Sequence, residues 1–481
     1  MAPTPLTPGR RPMPATTRRV LKALSLFTGV QSVNVLVAIL RTKLVALWIG
    51  PAGVGLLSLY SWAMQLLTTA TQFNIGQSAV RDISRSIGDE DRRSISALVR
   101  RLGLTIGAGG AIVTILLSPL LSRLTFGDYS HTAAFIALAA VPALAAVTAT
   151  EGAIMQGFER LKRLAASTLW GAVAGTAVAI PLYYFFRTEA IVPVLIVFAL
   201  AGCVSALVFG VRIGTAKAPP IMKALSQGRD MLRLGSYLTI SSFAGMAATY
   251  IFMVFLNRCY DESTVGVFNA GSTLLTNYVG IIFTAISMEF YPRLSKVASS
   301  AMRTRTVVNH EASMALMVMC PVTVVVICCS EFIIGILYSA GFSAAEPFVA
   351  IGIIAMIFKA PSWCMAYCMI ARGHGRLFLI TECASAIVYV LLSILLFRLS
   401  GFAGLGVAYV LWYVIYFAIV YGIYRRRYGS ILSRGVWMQM FFCLAVAAIT
   451  MALDAMAGHW IALSIALPGS AWAAIRQLRR R

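Results

Sequence analysis

The chain has 481 residues, 59% of them hydrophobic and 12% charged, with a formal net charge of +23. A soluble domain carries about 25% charged residues, so composition excludes a soluble globular protein. A bilayer-spanning helix uses roughly 20 apolar residues, so spans consume nearly the whole length and leave no loop for a separate catalytic domain.

Residues 1–19 form a Pro- and Thr-rich tail that is expected to be disordered and cytoplasmic. Its Arg18-Arg19 pair superficially resembles a twin-arginine export signal. The apolar stretch behind it is too long for one, and thirteen more follow, so it reads as a first membrane span with a basic flank. Fourteen apolar stretches of helix length follow in order: 23–47, 54–80, 102–119, 132–155, 168–185, 192–211, 235–256, 265–290, 311–337, 347–370, 378–397, 405–423, 437–456 and 461–475. With the N-terminus in the cytoplasm, 33 of the 40 basic residues fall on the cytoplasmic side. Four fall outside: Arg123, Arg187, Arg258 and Arg398. This is the positive-inside pattern of an inner-membrane protein with both ends cytoplasmic. It accounts for the net charge without a nucleic-acid partner.

Polar side chains recur at helical spacing inside these spans. In the first, Gln31, Asn34 and Arg41 share a face. Lys43 points nearly opposite and is expected to snorkel toward the interface near Trp48. In the second, Ser58, Ser61, Gln65, Thr68 and Gln72 follow an i, i+3, i+7, i+10, i+14 pattern, and span 8 repeats part of it with Asn269, Ser272 and Thr276. Lipid cannot satisfy such groups, so the stripes face a wet cavity or bond to other helices. The two glutamines and the charge of Arg41 favour a cavity. In span 10, Lys359, Trp363 and Tyr367 lie at successive turns. A cation beside a ring platform suits a sugar attached to a phosphate; an ion pair with Glu382 or Glu151 is the alternative. Glu382 in span 11, followed on its face by Ser385 and Tyr389, is the best candidate for ion coupling. The nine cysteines lie mostly in apolar segments without a histidine at ligand spacing, so neither a metal site nor another cofactor is expected. Span 14 is short, contains Pro468-Gly469, and is the weakest of the set.

The chain also repeats itself. Residues 55–84 align without gaps on 266–295, an offset of 211, and Gly157-Phe158-Glu159-Arg160-Leu161 matches Gly373-His374-Gly375-Arg376-Leu377 at an offset of 216. Spans 1–6 and 7–12 are therefore read as duplicates. Six spans is an even number, so both copies enter the membrane the same way and are related by a pseudo-twofold along its normal. The expected division is a lobe at 20–211, a cytoplasmic linker at 212–234, a second lobe at 235–424, and an added helix pair with a basic tail at 425–481.

The segment Arg41-Thr42-Lys43 through Gly50-Pro51-Ala52-Gly53-Val54-Gly55 resembles the first-hairpin motif of Wzx-type polysaccharide flippases. Asp261-Glu262 through Asn269-Ala270, then Tyr291-Pro292-Arg293-Leu294-Ser295, resembles the second-half counterpart. Leu337-Tyr338 through Phe342 and Gly373-His374-Gly375-Arg376 look like the later spans of that family, so the likeness covers about residues 20–425. The family belongs to the multidrug/oligosaccharidyl-lipid/polysaccharide exporter superfamily. The resemblance implies an all-α, V-shaped bundle of two six-helix lobes. It also implies transfer of an undecaprenyl-diphosphate-linked oligosaccharide from the cytoplasmic to the periplasmic leaflet, alongside a polysaccharide polymerase and a chain-length regulator. In related lipid II flippases an arginine of the first span is important, and Arg41 matches it. The lipid II arginine of the second span is absent, with Gln65 and Gln72 present instead, which counts against lipid II. No Walker A motif occurs, so ATP hydrolysis is not expected. Two other functions are the alternatives. A cation-coupled drug exporter would be expected to have a more acidic cavity, and a glycan polymerase or ligase would need larger outer loops.

Overall fold

A computed structural model of the chain describes residues 15–72, scattered positions from 76 to 83, and 89–211. It also describes 229–468 apart from Ser430, Trp460 and Ile465. Side chains before Val33, at 229–238 and at several positions between 285 and 295 fall outside that description. So do most of the expected tail, the linker core and most of span 14.

The described residues contain no strand. Only a helix satisfies every backbone N–H and C=O within one apolar segment. The first half holds helices Ala15–Gln72, Asp89–Phe126, Thr132–Leu138 continuing as Ala140–Gly157, Leu161–Phe186 and Ile191–Phe209. The second holds Arg229–Cys259, Glu262–Thr273, Gly280–Val297, Ala301–Leu337, Glu346–Gly352, Ala355–Ala371 and Gly375–Tyr428. Arg434–Ala457 follows. Eight described helices, or nine if one bent pair counts as a span, are long and apolar enough to cross a membrane. Several of these are compound. The Ala15–Gln72 run breaks at Gly50 (φ 66°), with Pro51 restarting the helix where its missing N–H costs nothing. The described residues do not fix the number of spans at fourteen.

Two details depart from the simple spans of the sequence. Span 8 is interrupted by a π-helical turn, Leu274–Tyr278, and span 10 is bent by 56° between residues 340–352 and 355–371.

The backbone carries the internal repeat independently of the side chains. Helix Ala140–Gly157 and helix Ala355–Ala371 end in the same Schellman turn. Arg160 N–H donates to Met155 O and Glu159 N–H to Gln156 O; His374 N–H donates to Met369 O and Gly373 N–H to Ile370 O. Glu159 (φ 57°) and Gly373 (φ 75°) hold the left-handed position. One helix further on, Arg187 (φ 46°, ψ −121°) and Gly401 (φ 57°, ψ −136°) make the same reversal. Both pairs are offset by 214, so the 216 offset of the glycine match is two residues out of register. Aligning Gly157 on Gly373 misled because the first copy fills both left-handed positions with charged residues. A left-handed non-glycine costs roughly 1–2 kcal/mol. Glu159→Gly is therefore expected to raise stability by about 1 kcal/mol, measured as a higher Tm of the detergent-solubilised protein; an unchanged or lower Tm would contradict this.

The two halves meet most tightly where the second rod of Ala15–Gln72 crosses Glu262–Thr273. A Cβ on Gly55 would overlap the Glu262 carbonyl oxygen, and one on Gly266 would overlap the Pro51 carbonyl oxygen. These two glycines are partners in the 211-residue repeat. Further bonds join the halves at this end of the bundle. Thr125 Oγ1 pairs with Tyr250 Oη at 2.6 Å, Asn257 Nδ2 donates to Thr125 O at 2.9 Å, and Arg258 Nη1 donates to Arg123 O at 3.0 Å.

Candidate functional site

Next to the Gly55–Gly266 crossing lies a cavity of about 570 Å³ between the halves. Ser58, Ser61 and Gln65 line it from the first half. Asn269, Ser272 and Thr276 line it from the second. Each residue of the first set stands exactly 211 positions before one of the second, so the repeat places its two polar stripes opposite each other. Trp62 Nε1 donates to Asn269 Oδ1 across the gap at 3.4 Å. Thr273 and Asn277 join this lining at ordinary helical spacing, with the π turn Leu274–Tyr278 running between them.

Arg41 is the cation of this cavity, and no carboxylate is among its lining residues. Its guanidinium lies 4.5 Å from the centre of the Phe198 ring. Among the described residues it forms no ion pair. Tyr183, Phe198 and Tyr338 complete the wall. The sequence marks Tyr338 only as part of a family-like segment and gives no sign of Tyr183 or Phe198, because aromatics on apolar spans carry no periodic signal.

The remaining first-half candidates, Asn34 and Gln72, are not among the cavity's lining residues. Asn34 Oδ1 and Gln72 Nε2 are both buried without a hydrogen-bond partner among the described residues. Gln31 sits on the helix, but its side chain lies outside the described residues. Lys43 departs from expectation. It does not snorkel away; its Nζ donates to the carbonyls of Gly335 and Tyr338, across to the other half. Those carbonyls lie at the C-terminal end of helix Ala301–Leu337, where unpaired acceptors and the helix dipole attract a cation.

Lys359, Trp363 and Tyr367 share a face, as expected, but that face is separate from the Arg41 cavity. Trp363 packs on Phe283 and Phe290, each with ring centres 5.7 Å apart, and Tyr367 packs on Phe290 at 6.0 Å. Lys359 lies deep in the protein yet keeps some accessible surface. Its Nζ sits 5.2 Å from the Phe283 ring centre and 5.5 Å from that of Tyr413. Neither proposed ion pair forms. Glu382 Oε1 accepts from Tyr416 Oη at 2.6 Å, and Glu151 is held by Arg100 at 2.5 and 2.8 Å. An interior lysine without a carboxylate should be replaceable by an isosteric apolar chain. Lys359→Met is expected to keep membrane protein level at or above wild type on immunoblots; a several-fold drop would show a counter-charge that depends on it. The Lys359→Glu/Glu382→Lys exchange is not expected to recover function.

The family described as "Polysaccharide biosynthesis protein" matches residues 20–298. The lipid III flippase of Escherichia coli K12 is 22% identical over 420 residues, covering 85% of this chain and 99% of that protein. Two solved structures share the fold. The lipid II flippase MurJ in an inward closed conformation has a TM-score of 0.67 at 12% identity, over 95% of this chain and 99% of that one. An inward-facing multidrug resistance MATE transporter of the MOP superfamily has 0.70 at 14% identity, over 82% and 94%.

Proposed function

Because this chain belongs to the polysaccharide biosynthesis protein family, within the multidrug/oligosaccharidyl-lipid/polysaccharide exporter superfamily, we propose that it carries an undecaprenyl-diphosphate-linked oligosaccharide across the inner membrane. Transfer runs from the cytoplasmic to the periplasmic leaflet, with both termini cytoplasmic, an orientation that the basic-residue bias supports. The observation that carries this reading is the cavity: two repeat-related polar stripes facing each other, with Arg41 its cation and no carboxylate in the lining. A diphosphate needs a cation, and hydroxyl-rich sugars need neutral donors and acceptors in a wet passage. A cavity for cationic drugs would be expected to carry acidic groups, so the same observation disfavours the drug-exporter reading.

In this orientation the Gly55–Gly266 crossing and the Lys43 contacts lie on the periplasmic side. The halves are thus joined on the outside, in keeping with a state open toward the cytoplasm. Rocking about the repeat axis would exchange the two access states. Glu382, set among Tyr413 and Tyr416 in the second half, is the group best placed to couple the exchange to an ion. The glycan delivered would be taken up by a polymerase and a chain-length regulator.

The test is the position of the lipid-linked glycan. Depletion of the protein should leave the intermediate on the cytoplasmic leaflet, inaccessible to a glycosidase added to intact spheroplasts. Unchanged accessibility after depletion would refute the reading, and sensitisation to cationic drugs alone would favour the exporter.

A further inference from the structure

Away from the central cavity, helices Gly375–Tyr428 and Arg434–Ala457 enclose a groove of about 920 Å³. Its walls are aromatic and mutually braced. Trp437 meets the Phe417 and Tyr421 rings edge-on at 5.7 and 5.6 Å, and stacks on Phe441 at 6.1 Å. Phe441 keeps 62% of its surface exposed, so this apolar face is not covered by protein. At one end stand Arg425 and Arg426, both exposed and in no ion pair among the described residues. No acidic residue lines the groove.

The dimensions fit one lipid chain. From Val414 to Arg425 the helix rises ~17 Å, about the depth of one leaflet of a hydrocarbon core roughly 30 Å thick. An apolar channel one leaflet deep, capped by two guanidiniums at the basic side, matches an acyl chain below an anionic head group. We infer that this groove binds an anionic phospholipid of the cytoplasmic leaflet, with its phosphate on Arg425 and Arg426 and an acyl chain along Phe417, Tyr421 and Trp437. The polyprenyl carrier is the competing occupant. The groove shares no lining residue with the Arg41 cavity, and a long polyprenyl tail would overrun one leaflet. The inference stands apart from the transport reading, since the groove is complete without the cavity.

Gly422 provides a clean test. It lines the groove, and a Cβ built on it meets nothing within 4 Å. Gly422→Trp should therefore fill the groove while leaving both arginines and the helix packing in place. The purified full chain would be incubated with phosphatidylglycerol, phosphatidylcholine or a polyprenyl phosphate, and retained lipid counted by native mass spectrometry. Phosphatidylglycerol should be retained over phosphatidylcholine. Removing both charges in Arg425→Gln/Arg426→Gln should lower its affinity about 30-fold, from about 1 kcal/mol per basic residue. Gly422→Trp should abolish retention. Equal retention of the two phospholipids, or wild-type retention in both variants, would overturn the inference. Displacement of phosphatidylglycerol by an equimolar polyprenyl phosphate would assign the groove to the carrier and overturn it as well.

Discussion

Arg41→Ala is expected to lower the rate at which lipid-linked glycan reaches the outer leaflet by at least about 100-fold, with membrane protein level near wild type. Arg41 is the cation among the cavity's lining residues and has no carboxylate partner among the described residues. A charged arginine costs up to about 2.5–3.5 kcal/mol at the centre of a span and less toward its end, where Arg41 lies, and packing against Phe198 supplies no opposite charge. Folding alone therefore gives no reason to keep it, and its removal should not destabilise the protein. On the proposed function, the diphosphate of the substrate would supply the missing opposite charge. Truncating one member of a buried, hydrogen-bonded charge pair costs about 2–5 kcal/mol, or roughly 30- to several-thousand-fold. Arg41→Lys keeps the charge but loses the planar fork that grips two phosphate oxygens, so it should retain partial activity. The measurement is glycosidase accessibility in spheroplasts, paired with an immunoblot of the membrane fraction. Wild-type accessibility in Arg41→Ala at normal protein level would remove Arg41 from the substrate path. A collapse in protein level would make it structural.

The central cavity was legible because two regularities of the sequence converge on it. Helical spacing put Ser58, Ser61 and Gln65 on one face, and the 211-residue offset put Asn269, Ser272 and Thr276 on the matching face of the second copy. Other features had no such signal. The π turn at Leu274–Tyr278 arises in an ordinary-looking stretch, and inserting one residue into a helical turn leaves no mark on composition. The turn register is two residues out because Gly157, Arg160 and Leu161 match Gly373, Arg376 and Leu377 by identity, whereas the left-handed residue that pairs with Gly373 in the fold is Glu159. Lys43 was expected to turn outward because spacing along one helix gives direction only relative to that helix. Its partners lie nearly 300 residues away, at a helix end whose open carbonyls come near it only in the folded bundle. The choice between an ion pair and a free cation at Lys359 was likewise a question of tertiary distance. Glu382 sits in the same half but is engaged by Tyr416.

The second large effect is expected at the crossing of the two halves. Gly266→Ala should drive the protein out of the state in which the Gly50 end is closed. The added Cβ meets backbone, the Pro51 carbonyl, so no side-chain rotation can relieve it. The two helices must separate. Overpacking of this kind costs typically 1–3 kcal/mol. If the crossing exists only in one access state, that cost falls on that state alone and shifts the balance by about 5- to 150-fold toward the other. Gly55→Ala should act the same way against the Glu262 carbonyl. Lys43→Gln should shift it less, because it weakens a contact without creating a clash. Ser58 lines the cavity one helical turn from Gly55 and can report the change. With Ser58→Cys in a Cys259→Ser background, a membrane-impermeant thiol reagent added from outside should label Gly266→Ala and Gly55→Ala at least about five-fold faster than the parent. Export should fall in both, because one access state is no longer visited often enough. Equal labelling of parent and variants, with export intact, would show that the crossing does not gate the cavity. Loss of folded protein in both variants would show that it belongs to a core shared by every state.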